Sequence, residues 1–298
     1  MTYHSGSRAV QDRVGVRDLA DHVGQAVGPG IRPVAAAFLE QQPMLVLGGA
    51  DPATGAVWAS LLTGEPGFVR ATGPHRISVT GAPREGDPLA AALRADGTPV
   101  GTIALDPRTR RRMRLNGRAR PTPRGFAVEA DQVFANCPKY LQRRESYESV
   151  GRPPAVARRS AGLTAQQREF IQDADTFFLA TVHAHGADAS HRGGNPGFVR
   201  TGSPDGAGPD ELSWRDYPGN SMFLTLGNLA ADSRAGLLFL DWTSGAILQL
   251  TGTARTEFGA DGETRTVRFS VTGVVETPGA SPLRWSPPEY SPANPALP

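Results

Sequence analysis

The chain has 298 residues, with 31 Lys and Arg against 29 Asp and Glu, so its net charge of +2 does not by itself argue for nucleic acid. No apolar run approaches the ~18 residues of a membrane span and the N-terminus lacks the apolar stretch of a signal peptide, so a cytoplasmic protein without a membrane contact is expected. The single cysteine, Cys137, excludes an intrachain disulfide and a multi-thiolate metal centre, while 35 glycines and 26 prolines predict many turns and short strands.

In chain order, residues 12–27 carry Val16, Leu19, Ala20, Val23 and Val27 at helical spacing and predict a helix. A second short helix is expected over 34–40, with Pro33 at its first turn. Strands follow at 44–48, 56–62, 76–80, 99–105, 113–120 and 125–133, with a short helix at 89–94. Residues 151–162 offer neither period and read as a linker. Thr164 is a candidate N-cap for a helix running to about 174. Strands are expected again at 177–183, 187–192, 211–214, 236–241, 247–255 and 266–275, then an extended Pro-rich tail over 279–298.

The second half repeats the first. Gly64-Glu65-Pro66-Gly67-Phe68-Val69-Arg70 matches Gly194-Asn195-Pro196-Gly197-Phe198-Val199-Arg200, 130 positions on. Residues 100–106 match 235–241, and 115–120 match 250–255, both 135 positions on. Three matches in one order point to two copies of a domain, 1–150 and 163–278. The fold class expected is mainly β with flanking helices (α+β).

Several residue groups could carry chemistry. His183 and His185 share a strand face and His191 lies on the next strand, but no acidic or cysteine partner is evident, and no metal is expected. Arg110, Arg112 and Arg114 would share one face of a strand, either solvated or facing an anion; without interleaved aromatics, nucleic acid is not expected. In 136–144, Cys137 is read as a buried inert thiol rather than a nucleophile, and Lys139, the only lysine, with Gln142 and Arg143 could meet an anionic ligand or line a domain interface. Ser190-His191-Arg192-Gly193-Gly194 ends a strand with an arginine and two glycines that would let backbone approach a ligand. Asn220 or Ser221 could cap a helix over 222–231 whose free N–H groups favour phosphate. No G-x-G-x-x-G, P-loop or G-x-S-x-G motif accompanies them.

Phe177-Phe178-Leu179-Ala180-Thr181-Val182, Ser190-His191-Arg192, Leu237-Leu238-Phe239 and Leu248-Gln249-Leu250-Thr251-Gly252 resemble the pyridoxamine 5′-phosphate oxidase-related, FMN-binding split-barrel proteins. Residues 136–144 and the basic strand before them resemble larger, two-part members. The resemblance implies two six-stranded split β-barrels in tandem, forming a pseudo-dimer, with FMN between them and its phosphate held by an arginine and hydroxyl or amide groups. Deazaflavin- and haem-binding branches share the fold. Arg192 matches the phosphate arginine, flanked by Ser190, His191 and Gly193. Asn220 and Ser221 fall near the phosphate loop, Arg112 and Arg114 lie on the strand facing the partner's flavin, and Lys139 follows it. The implied activity is an FMN-dependent oxidoreductase using a small-molecule substrate or nicotinamide donor, as a monomeric pseudo-dimer or a homodimer. The alternative is a flavin- or phosphate-ligand-binding protein without turnover. The chain departs from the pattern in three ways: Leu62 stands where the first half would need the arginine, the phosphate lysine is missing with only Arg200 nearby, and no pyridoxal signature is present. Vitamin B6 oxidation is therefore not expected.

Overall fold

Gly15 divides the N-terminal helical segment in two. Its φ of +71° ends α1 (Ser5–Val14) in a left-handed cap, and α2 (Arg17–Gly24) starts afresh, so the single helix expected over 12–27 is a pair that begins earlier. The structure is a computed structural model that describes residues 3–135, 137–151, 156–184, 186–202, 210–261 and 264–297. Pro33 opens α3 (Pro33–Glu40) at its first turn, as expected.

The first half then forms β1 (Met44–Ala50), β2 (Val57–Thr63), β3 (Val69–Gly73), β4 (Arg76–Thr80), β5 (Thr98–Asp106), β6 (Arg111–Thr122) and β7 (Gly125–Ala135). The helix expected over 89–94 shrinks to a 3-10 turn at Ala92–Arg94. After β8 (Tyr147–Ser149) and β9 (Arg158–Ser160), Thr164 caps α4 (Ala165–Asp173) in a reciprocal capping box with Gln167. The second half forms β10 (Thr176–His183), β11 (Gly186–Gly193), β12 (Val199–Thr201), β13 (Glu211–Arg215), α5 (Leu224–Ala231), β14 (Arg234–Leu240), β15 (Ile247–Phe258) and β16 (Arg265–Thr277); β17 (Leu283–Trp285) lies in the tail.

The two sheets have the same strand order, β2-β1-β5-β6-β7-β4-β3 and β11-β10-β14-β15-β16-β13-β12. The first sheet has seven strands and the second eight, because β9 also pairs with β16; the resemblance implied six in each barrel, and a short edge strand (β3 or β12) extends each sheet. The ladders superimpose residue by residue: Leu45 faces Leu62 as Phe177 faces Arg192, and Ile103 faces Arg114 as Leu238 faces Gln249. Each sheet also bulges at one equivalent point, Asn116/Gly117 and Thr251/Gly252. Both glycines sit where a Cβ would strike a carbonyl of the paired strand, Glu129 or Ser270. The chain holds two tandem split β-barrels.

Strands β1 and β10 read as continuous apolar runs because both of their faces are buried. In β1, Leu45 and Leu47 enter the first barrel's core, and in β10 Phe177 and Leu179 enter the second's. The alternate residues, Met44 and Val46 with Phe178 and Ala180, meet in a third cluster shared by both halves. The barrels approach most closely where side chains are smallest. A Cβ on Gly101 would overlap the backbone of Asp188 and Ala189, and one on its equivalent, Gly236, would overlap Val57 and Trp58. Gly48 packs on its own counterpart, Ala180. These are the reciprocal contacts of a two-fold interface, made within one chain.

Two segments expected to be loose are tied down. Within 151–162, β9 pairs with β16, while residues 152–155 lie outside those described. In the tail, β17 pairs with β8, Glu289 accepts from the backbone of Arg143, and Ser291 and Asn294 donate to Gln142 Oε1. No helix among the described residues is long and apolar enough to cross a membrane.

Candidate functional site

The pleat of β6 sends Arg112 and Arg114 to one face, toward the second half. There they meet β11. Arg112 donates to His191 Nδ1 at 2.6 Å and to the Cys137 carbonyl at 2.7 Å. Arg114 forms a buried ion pair with Asp188, which also accepts from Asn116 Nδ2 at 2.9 Å. One residue pair along β11, Arg192 donates to Ser190 Oγ at 3.2 Å and lies 3.6 Å from Asp216. Thr225 Oγ1 donates to Ser190 Oγ at 3.3 Å from α5. The cleft between these elements is further lined by Lys139, Tyr140, Trp214, Tyr217, Asn220 and Ser221.

The cluster has more positive charge than its neighbours neutralise. Arg112, Arg114, Arg192 and Arg265 stand against two carboxylates, Asp188 and Asp216, with Asp216 shared by Arg192 and Arg265. Burial first, then Arg192 and Arg114, pushes the Arg112 guanidinium down to about 9. Burial, followed by the repulsion of Arg112 and Arg192, holds His191 well below the ordinary imidazole value. A guanidinium can only donate, so His191 Nδ1 accepts and the neutral ring carries its proton on Nε2. That Nε2, Arg112 Nε and Arg192 Nε are buried and have no hydrogen-bond partner. Three unpartnered donors beside an excess of positive charge are the chemistry that suits a multiply charged oxyanion.

The pseudo-equivalent cleft of the first half has none of this. Ser60 replaces Ser190, Leu62 replaces Arg192, and Gln249 and Ile247 stand where the first half supplies Arg114 and Arg112. The segment between β4 and β5, counterpart of the one that carries α5, folds over it. Asp87 there accepts from Ser60 Oγ at 2.6 Å, from the Leu89 backbone at 2.9 Å and from Gln249 Nε2 at 3.2 Å. The chain's own carboxylate thus engages the serine whose second-half counterpart, Ser190, is bonded by Arg192.

The structure brings His191, Arg192, Gly193, Asn220, Ser221, Arg112, Arg114 and Lys139 to one cleft, while Ser190 lies buried behind it, its hydroxyl donating to Leu179 O and accepting from Arg192 and Thr225. It corrects how several of them are used. Neither Asn220 nor Ser221 caps α5: its N-cap is Phe223, at φ +53°, and Asn220 Oδ1 instead accepts from the Met222 backbone. Two left-handed residues, Ser221 and Phe223, turn the chain there before the helix starts. Gly193 is needed for the Tyr140 carbonyl, and Gly194 for the Phe198 ring, which a Cβ would overlap; the pair serves packing rather than ligand approach. Arg110 leaves the face of Arg112 and Arg114, because its φ of +53° turns it toward Leu141 O and Glu289. Cys137 is exposed, on the turn after β7, rather than buried. Gln142 and Arg143 serve the interface, bonding Gly194 O and Glu289. His183 pairs with Gly186 at the hairpin end and stacks on His4, far along the ladder from His191, so the two do not meet. His185 and Asn136 lie outside the described residues.

Sequence reasoning missed Asp188 and Asp216, which hold the arginines, and the tyrosine pair Tyr140 and Tyr217, 5.1 Å apart. Asp188 had one visible signal: a lone acid among the small residues of Ala187–Ser190, on a strand otherwise suited to burial.

Residues 163–270 match the family model described as pyridoxamine 5′-phosphate oxidase. No curated protein matches the chain. Among solved structures, it is similar to a putative pyridoxamine 5′-phosphate oxidase from Lactobacillus delbrueckii, at 17% identity over 39% of this chain and 94% of that one, with a TM-score of 0.30. A Clostridium acetobutylicum protein related to general stress protein 26, of the pyridoxinephosphate oxidase family, gives 14% identity over 37% and 84%, with a TM-score of 0.27. A HupZ variant of group A Streptococcus gives 13% over 38% and 98%, with a TM-score of 0.29. The likeness to the pyridoxamine 5′-phosphate oxidase family is thus carried by residues 163–270, which lie in the second of two halves that share one strand order.

Proposed function

We propose that the arginine cleft holds one FMN per chain by its phosphate and that the protein is an FMN-dependent oxidoreductase. The observation that carries this reading is the set of unpartnered buried donors, Arg112 Nε, Arg192 Nε and His191 Nε2, in a cluster with excess positive charge. Such a set fits a phosphate dianion. Arg192, braced by the buried Ser190 hydroxyl, would hold it from the second barrel; Arg112 would reach it from the first. Because those groups come from both barrels, a single folded chain makes the whole site.

When bound, a flavin supplies hydride transfer between a donor, such as a nicotinamide or the substrate, and an acceptor. The chain's part is to position and to exclude water. Asp216 and Asp188 fix the directions of Arg192 and Arg114. His191, neutral at physiological pH, offers a hydrogen bond without competing for a proton. The tyrosine phenols of Tyr140 and Tyr217, both raised by burial, stay protonated and can only donate or accept weakly.

The test is the absorbance of the purified protein, followed by titration with FMN. Removing one partner of a desolvated charged pair costs about 2–5 kcal/mol, so Arg192→Ala is expected to weaken FMN binding by roughly 30-fold or more. Leu62→Ala leaves it unchanged, and saturation comes at one equivalent per chain. Flavin bands that bleach with a nicotinamide donor support the oxidoreductase; bands that never bleach with any donor favour a binding protein. A Soret band, or uptake of a deazaflavin in preference to FMN, replaces the cofactor.

A further inference from the structure

A second cleft, of about 900 Å³, opens beside the arginine cluster. Its floor is the end of β7 and the start of β6, with Met113, Val133 and Phe134. Its wall is the segment from α2 to α3, with Val27, Ile31 and Phe38. That wall is fixed by backbone hydrogen bonds: Gly28 and Val133 exchange a pair, and Ile31 N donates to Pro74 O at 2.8 Å. The cleft is therefore formed before any ligand arrives, and its volume is that of a site for a small organic molecule.

Its charge is one-sided. Arg32, Arg110, Arg111 and Arg112 line it, and no acidic side chain among the described residues does. Arg110 is neutralised by Glu289, and Arg112 is directed to His191. Arg32 and Arg111 remain at the exposed rim. Arg112 lines this cleft and the arginine cleft alike. Phe134 joins them too: it lines the apolar cleft while Arg114 sits over its ring, 4.7 Å from the centroid.

We propose that this cleft binds an amphipathic carboxylate, an acyl or aryl body lying against Ile31, Phe38 and Met113 with its anionic end at Arg32 and Arg111. The apolar lining supplies affinity through area removed from water, and the arginine rim rejects cations and prefers an anion over its neutral analogue. Because Arg112 borders both cavities, the occupant abuts the proposed cofactor. That it is what the cofactor acts on rests on the flavin reading; that the cleft binds it does not.

The experiment is a titration of the full chain with anilinonaphthalene sulfonate, an apolar fluorescent anion, and its displacement by decanoate and by decanol. One probe is expected per chain, displaced by decanoate at least tenfold more effectively than by decanol. Exposed arginine–anion pairs contribute modestly, so Arg32→Ala and Arg111→Ala each weaken decanoate by about fivefold. Val34 lines the cleft and is 70% exposed, so Val34→Asp can introduce an opposing charge there without disturbing the core, and is expected to abolish displaceable binding with an unchanged melting temperature. FMN titrated into the same variants binds as in the parent. Equal displacement by decanol and decanoate overturns the anion assignment, and probe binding unchanged in Val34→Asp and in the Arg32→Ala/Arg111→Ala double variant overturns the site. Mutual exclusion of decanoate and FMN overturns the two-cleft arrangement. A chain that takes decanoate but never FMN sinks the flavin reading and leaves this one standing.

Discussion

Asp188→Asn isolates the electrostatic design of the arginine cleft. Asp188 and Arg114 are 3% and 7% exposed, and they join the two barrels across their interface. The substitution preserves volume and removes the one carboxylate that, among the described residues, is paired with that guanidinium. Breaking a buried pair by neutralising one partner costs about 3–5 kcal/mol, because the remaining charge is left uncompensated. For a chain of this size that corresponds to a melting temperature lower by roughly 6–15 °C. The same change raises the positive potential of the cleft, so the variant should regain more stability from inorganic phosphate than the parent does. Circular-dichroism melts at neutral pH, with and without phosphate, read both effects. A fall of less than about 2 °C would show that Arg114 is solvated rather than buried. A variant that phosphate stabilises no more than the parent would show that Arg114 does not contribute to an anion site.

Two further outcomes follow from the same interface. His191 is held well below about 6.5, so its folded-state value lies under its unfolded one. The folded state then binds fewer protons, and the stability this confers is complete above about pH 6.5 and is lost as the pH falls toward the folded value. Urea unfolding midpoints of the parent should fall more steeply between about pH 6.5 and 5 than those of His191→Gln; parallel curves would refute a buried neutral imidazole. Gly101→Val drives a side chain into the backbone of Asp188 and Ala189 and should cost at least about 1–3 kcal/mol, while Gly151→Ala, in open space, should cost almost nothing. Equal melting temperatures for the two variants would mean that the barrels do not meet at Gly101.

The duplication was legible because the repeat keeps its turn residues: Gly64–Arg70 and Gly194–Arg200 differ at only one position, and their glycines and proline bend both copies alike. The long strands were legible because their flanks carry turn residues and their interiors are apolar. The short strands β8, β9 and β17 were not, since each docks through backbone hydrogen bonds that leave no side-chain period. Arg192 stood out by its contrast with Leu62, a difference between two copies of one pattern. Its neighbours Asp188 and Asp216 did not, because an acid on a strand gains meaning only when a distant arginine is brought to it. The closure of the first-half cleft was equally hidden: Asp87, in a loop of turn residues, looks like any other aspartate until Ser60 and Gln249 are found around it.

The two-fold contact through Gly48, Gly101 and Gly236 has a consequence for dilution. A site shared by two separate subunits vanishes below their dissociation constant, and every copy must carry both of its halves. Here the partner barrel is tethered, so its effective concentration is independent of how much protein is present, and the cleft survives at any dilution. Tethering also frees the two barrels from identical sequence. In a dimer of identical chains, a Leu at position 62 would have removed both sites at once; joined in tandem, one cleft could be sealed from within by Asp87 while the other kept its arginines.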